Sequence, residues 1–376
     1  MAQHTIAAPS RATTKKIARP KPHPKTPVKS AKRATATGHK AKPQGAKITL
    51  SSQLLTLSFV VVALLLVGSI FVLFRQQSPA TTASPTNLAV SQQAGKPQVS
   101  GNPNNTLTAL GKDNSCTQGI LLDVIAHEDD DILFMNPDLQ QAVAAGTCVR
   151  TVYVTAGDDG NDSTYWQKRE HGPEAAYAAM ANMPNAWNSS TAQVSGHTVA
   201  VDQLQADPKI SLVFLRLPDG NISGKGFSSD HYESLQKLRN GEINIMHTVD
   251  GKSSYSELGL VKTLRNIMYI DRPTTINTQA FSPELAKGDH PDHQAVGYFT
   301  SLAALAYAGN ASLHRYIGYQ SGLMPINLSA NQITIKQAAF SAYEGYDSMI
   351  CNTKCFNSFV YQRYLGREYQ QTGATN

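Results

Sequence analysis

The chain has 376 residues, with 33 Lys and Arg against 27 Asp and Glu and a formal net charge of +6. Twelve of the basic residues and none of the acids fall within residues 1–47. The positive balance therefore belongs to a tail, and no nucleic-acid partner is expected for the remainder.

In residues 1–47, Pro, Ala and Thr fill the gaps between the charges. Such a segment cannot bury a core, so a disordered basic cytoplasmic tail is expected, lying near anionic membrane lipid. Within 48–75, Leu54 to Phe74 is apolar except at Thr56, Ser58, Gly68 and Ser69. About 21 residues at 1.5 Å each suffice to cross a bilayer core of ~30 Å. The apolar run and the basic segment before it are both long for a signal peptide. Only Arg75 follows the run immediately. Because positive charge stays inside, a single-pass anchor with its N-terminus cytoplasmic is expected. Residues 76–105 are rich in Ser, Thr, Gln, Pro and Gly and read as a flexible stalk. A folded domain is expected over 106–376, on the extracytoplasmic side of the cell membrane. Beyond Arg75, 20 basic residues face all 27 acids, a balance near −7.

All four cysteines, Cys116, Cys148, Cys351 and Cys355, lie beyond the apolar run. An even number on the oxidising side points to disulfides. Cys116–Cys148 with Cys351–Cys355 is the simplest pairing; the two other pairings stay open.

From Ile120 the pattern alternates. Strands are predicted at Ile120–Ala126, Cys148–Thr155, Ser211–Leu217, Thr274–Thr278 and His314–Tyr319. Helices are predicted near Leu139–Ala145, Trp166–Met183, Tyr255–Ile270, His293–Ala308 and Ile333–Tyr346, with Pro173 marking a kink or boundary. Alternation over this length predicts an α/β, Rossmann-like three-layer domain with a mainly parallel sheet. The first predicted strand ends in His127-Glu128-Asp129-Asp130-Asp131. Four consecutive carboxylates belong either to a solvated surface run or beside a cation. The position favours the cation, because the carboxyl ends of sheet strands are where ligands sit. A second cluster, His290-Pro291-Asp292-His293, supplies further His and Asp ligand types. His127 and Asp130 are three apart and can aim at one point, and His293 closes a His₂-Asp set with room for water, as catalytic zinc requires. Asp129 is then free to act as a general base. Asp158-Asp159-Gly160-Asn161-Asp162 lacks the order of a calcium loop and reads as a turn.

These motifs resemble those of the PIG-L/LmbE-like zinc de-N-acetylases. That family carries Ala-His-Pro-Asp-Asp-Glu after its first strand and His-Pro-Asp-His near the last. Here the first reads Ala126 to Asp131, with Glu128 in place of Pro and Asp131 in place of Glu; the second is intact at His290 to His293. The likeness also covers Thr155 to Gly160, Arg169-Glu170 and Leu217 to Gly220. It implies zinc, or another divalent metal, on His127, Asp130 and His293, with Asp129 as base. It places His290, supported by Asp292, to stabilise an oxyanion or protonate the leaving amine. Arg169 and Asp219 match positions that contact the sugar. The implied reaction is removal of acetyl from an N-acetylated amino sugar. A carbohydrate-binding or scaffold protein on the same fold, without turnover, is the alternative.

Overall fold

The computed structural model describes residues 106–351 and 358–371, all within one compact unit spanning Ala94–Asn376. The expected tail, anchor and stalk lie outside the described residues. Among the described residues no helix is long and apolar enough to cross a membrane.

The order is β1 (Ile120–Ile125), α1 (Asp130–Phe134), α2 (Asp138–Ala144), β2 (Cys148–Thr155), α3 (Ser163–Met180), β3 (Trp187–Val194), β4 (His197–Leu204) and β5 (Ile210–Leu217). It continues with α4 (Leu235–Arg239), β6 (Met246–His247), β7 (Ser254–Tyr255), α5 (Glu257–Asp271), β8 (Thr275–Gln279), α6 (Pro283–Ala286), α7 (Pro291–Tyr307), β9 (Ser312–Tyr316), α8 (Ala330–Glu344) and α9 (Ser358–Leu365). The main sheet runs β3-β4-β5-β2-β1-β8-β9. From β5 to β9 every pairing is parallel, while β3 and β4 add an antiparallel hairpin at one edge.

Alternation along β1 sorts its side chains to the two faces of the sheet. Leu122, Val124 and Ala126 pack with Ile267, Met268 and Phe299 from α5 and α7. Leu121 and Ile125 pack with Tyr177 and Phe340 from α3 and α8. The result is the expected three-layer, mainly parallel arrangement, and the predicted strands fall within about two residues of those observed. The β3–β4 hairpin was not among the predicted elements. Pro173 lies inside α3, which runs on to Met180, so it is not a helix boundary.

Cys116 and Cys148 form a disulfide with Cα atoms 5.5 Å apart. It ties the segment before β1 to the first residue of β2. Cys351 is disulfide-bonded as well, and Cys355 lies outside the described residues.

Candidate metal centre at the carboxyl edge of the sheet

β1 ends at Ile125, and the chain turns into α1 at Asp130. All four acids of the run are buried: Glu128 and Asp131 are 0 % exposed, Asp130 is 2 % and Asp129 is 6 %. The solvated-run reading is excluded. Each acid instead has its own surroundings.

Asp130 faces two histidines. Its Oδ2 lies 3.2 Å from His127 Nδ1, and its Oδ1 lies 3.0 Å from His293 Nε2. The backbone N–H of His127 and the side-chain amide of Gln279 each donate to Asp130 Oδ2 at 2.7 Å. Gln279, at the end of β8, also accepts from Ala126 N at 3.0 Å. One amide thus locks the loop after β1 to the neighbouring strand and fixes the carboxylate.

The second cluster opens α7. Pro291 occupies the first turn, where its missing N–H costs nothing. His290 is the N-cap, and its Nδ1 accepts from Asp292 N at 3.2 Å. Because Nδ1 accepts, the ring hydrogen sits on Nε2, which points toward Asp219 Oδ1 at 3.8 Å. Burial, reinforced by the neighbouring His127, pushes the His290 imidazole down to about 4, so it is neutral at pH 7. Asp292 Oδ2 accepts from Gly220 N at 2.8 Å, joining α7 to the loop after β5. His293 is fully buried, and its Nδ1 is held by Asp289 Oδ1 at 2.8 Å.

These residues fit a metal ion. His127, Asp130 and His293 present ligand atoms within 4.8 Å of one another. His293 Nε2 is buried, close to Asp130, and without a hydrogen-bond partner. A carboxylate on the far ring nitrogen is the usual way a metal-binding histidine is oriented. A His₂-Asp donor set with open positions is one that catalytic zinc takes. His127 also belongs to a second buried group with Asp219, His290 and Asp292. Its Nε2 lies 3.5 Å from both Asp219 Oδ2 and Asp292 Oδ2 and, like His293 Nε2, is buried without a hydrogen-bond partner.

The metal-free site holds protons that zinc must displace. Burial opposes charge on His293, but Asp130 and Asp289 raise it to about 10. His127 is likewise raised well above its ordinary value, against burial, chiefly by Asp130. Each ring must shed any extra proton to ligate, and zinc binding at pH 7 is therefore expected to release protons. Affinity should climb with pH until His293 titrates. Calorimetry in buffers of different ionisation enthalpy counts the protons, and release of none would remove these two rings from the ligand set.

Asp129 takes a different partner: Arg169 Nη2 donates to its Oδ1 at 2.9 Å. Arg169 was expected at the sugar. The structure places it 8 % exposed, with its guanidinium engaged by Asp129, Tyr343 and the Gly157 carbonyl. Asp219, expected there too, is 7 % exposed and faces His127 and His290. Its backbone N–H donates to Asp158 Oδ1 at 2.8 Å, while Asp158 Oδ2 accepts from Gly160 N at 2.9 Å. The Asp158–Asp162 stretch is thus a turn that sets the Asp219 loop. Asp131, which departs from the family motif, accepts from the hydroxyls of Tyr153 and Tyr177 at 2.9 and 2.7 Å.

Reading the sequence left out Gln279, Asp289, Tyr343 and Asp347. Asp289 had a signal, as an acid directly before the second cluster. Gly318 has none in sequence: a Cβ there would sit 2.6 Å from Asp289 Oδ1 and 2.7 Å from His293 Nδ1.

A parallel α/β sheet with a buried His₂-Asp set and a spare carboxylate at its carboxyl edge defines a metal-dependent hydrolase of the deacetylase type. Residues 122–304 match the family described as PIG-L: GlcNAc-PI de-N-acetylase. No curated protein matches the chain. Among solved structures it is similar to the conserved protein TT1542 from Thermus thermophilus, at 18% identity, covering 65% of this chain and 84% of that one, with a TM-score of 0.35. It is similar to the pseudoaglycone deacetylase Dbv21 at 16% identity, covering 64% and 87%, with a TM-score of 0.38. The N,N'-diacetylchitobiose deacetylase from Pyrococcus horikoshii follows at 14%, covering 63% and 76%, with a TM-score of 0.34. The assignment rests on the family match and the site geometry.

Proposed function

We propose that the protein removes the acetyl group from an N-acetylated amino sugar of an envelope glycan or exported glycoconjugate, releasing acetate. The observation that carries this reading is the buried His127–Asp130–His293 set, with Asp129 beside it as a carboxylate outside the ligand set. Zinc, when bound, polarises the amide carbonyl and activates the attacking water. Asp129 accepts the proton given up by that water. His290, neutral and carrying its hydrogen on Nε2, donates to the developing oxyanion. Asp292 steadies this donor through the backbone N–H at the start of α7. Asp219, which faces His127 and His290, is the group we assign to a sugar hydroxyl.

The outward location is part of the proposal. It is supported by the anchor-length apolar run Leu54–Phe74 with its basic flank and by the Cys116–Cys148 disulfide, a bond typical of oxidising compartments. The tail and anchor would then meet membrane lipid.

The test is acetate release from a panel of N-acetylglucosaminyl compounds, soluble and polymeric, with and without chelator. Release that a chelator stops and zinc restores is the expected result. Binding of these compounds with no acetate released would support a carbohydrate-binding protein instead. Protease added to intact cells is expected to reach the domain; full protection would overturn the outward orientation.

A further inference from the structure

The base beside the metal set does not stand alone. Arg169 reaches Asp129 from α3 and is itself held from the other side. Its Nε donates to Tyr343 Oη at 2.8 Å and lies 3.1 Å from Asp347 Oδ2. Tyr343 Oη in turn donates to Asp347 Oδ2 at 3.1 Å. Asp347 Oδ1 accepts from Tyr165 Oη at 3.0 Å and from Met349 N at 2.9 Å. Tyr343 is fully buried and Asp347 is 2 % exposed. Both come from α8 or just after it, outside the matched region 122–304. Glu128, which stands where the family motif has Pro, adds a third carboxylate 3.3 Å from Arg169 Nε and makes no hydrogen bond of its own.

The backbone is shaped to admit this network. A Cβ on Gly172, one turn along α3 from Arg169, would sit 2.4 Å from the Tyr343 ring. A Cβ on Gly157 would sit 2.4 Å from Arg169 Nη1 and 2.5 Å from Glu128 Oε2. α3 thus closes on Tyr343 of α8 at Gly172, and the loop after β2 closes on the guanidinium at Gly157, because these positions carry no side chain.

We propose that Arg169, Tyr343 and Asp347 are positioning residues. They hold the Asp129 carboxylate in one rotamer, with Oδ1 on Arg169, so that the other oxygen is left to take a proton from the attacking water. Arg169 therefore serves the base rather than the sugar. This rests on the reading of Asp129 as the base. An arginine fits the task because its planar fork serves several acceptors at once, which a lysine cannot do.

Two measurements on the full chain test it, one of them independent of turnover. The first is a thermal double-mutant cycle. Asp129→Asn and Asp347→Asn are made singly and together, in the parent and in an Arg169→Lys background. The two carboxylates share no hydrogen bond; both bear on the Arg169 guanidinium, beside a direct like-charge repulsion. Non-additive Tm shifts are expected in the parent and clearly smaller non-additivity with Arg169→Lys, and equal non-additivity in both backgrounds also overturns the inference. Additive shifts in the parent overturn the inference whatever the activity does. The second compares kinetics of Tyr343→Phe, Asp347→Asn and Gly172→Ala, with zinc content measured on each. A fall in kcat of about 10- to 100-fold at unchanged KM and zinc is expected, the usual cost of misplacing a reacting group by about 1 Å. A raised KM at unchanged kcat would return Arg169 to the sugar. Lowered Tm with unchanged kcat would leave a merely structural network; both results overturn the proposal. If the parent releases no acetate while the cycle is coupled, the network stands and the deacetylase reading fails.

Discussion

Replacing His127, Asp130 or His293 by Ala is expected to remove zinc and acetate release together. Each residue offers one buried ligand atom to the same point, and a set of three has none to spare. A metal acting as Lewis acid contributes several kcal/mol to the transition state, so its loss should lower the rate by roughly 10³-fold or more. The three variants should differ in stability. His127→Ala and His293→Ala delete rings that each face a carboxylate. Asp130→Ala goes further. It leaves the Gln279 amide and the His127 backbone N–H without their acceptor in a buried site. Each orphaned donor costs about 1–3 kcal/mol. Asp130→Asn, with its amide oxygen in the place of Oδ2, keeps the acceptor that both donors share and separates the loss of a ligand from the loss of the fold. Metal analysis of purified protein, read beside acetate release and Tm, decides. A variant that keeps full zinc and full rate would strike its residue from the set.

The arrangement shows why some of the site could be seen in the sequence and some could not. His127, Asp130 and His293 lie in two short clusters, the first where β1 meets α1 and the second at the N-terminus of α7, which follows β8 and the short α6. Local chain geometry alone brings their side chains to the sheet edge. The residues that hold them are scattered. Gln279 reaches Asp130 across 149 positions, and Tyr343 reaches Arg169 across 174. No spacing rule ties such pairs, because register and helix packing decide them. The hairpin β3–β4 was missed for a related reason. β3 is largely exposed and reads Trp-Asn-Ser-Ser-Thr-Ala-Gln-Val, with little apolar alternation to mark it. Arg169 is a mixed case. Its identity fits a family pattern, but an arginine's surroundings depend on which acceptors fold around it, and here these include Tyr343 of α8, outside the matched residues.

Asp129→Asn is expected to keep zinc and lose most of the rate. The asparagine matches the carboxylate in size, and its Oδ1 can still accept from Arg169 Nη2 in the place of Asp129 Oδ1. Nothing in the ligand set changes, since Asp130 and not Asp129 lies between the two imidazoles. What disappears is the second oxygen's capacity to take a proton. Burial raises the Asp129 carboxyl above its ordinary value, and Arg169 works against that rise. The result is a stronger proton acceptor than an exposed aspartate. An amide has no such capacity, and general-base assistance is typically worth ~10²–10⁴-fold, so the loss should fall in that range. His290→Ala supplies the contrast. It also leaves the ligands in place, removes a donor rather than an acceptor, and should cost roughly 10²–10³-fold. Metal content must be read with the rate in both cases. If Asp129→Asn loses its metal while Asp130→Asn keeps it, the two carboxylates have exchanged roles. If Asp129→Asn turns over like the parent with zinc retained, proton transfer runs through another group, and Asp129 is only the counter-charge of Arg169.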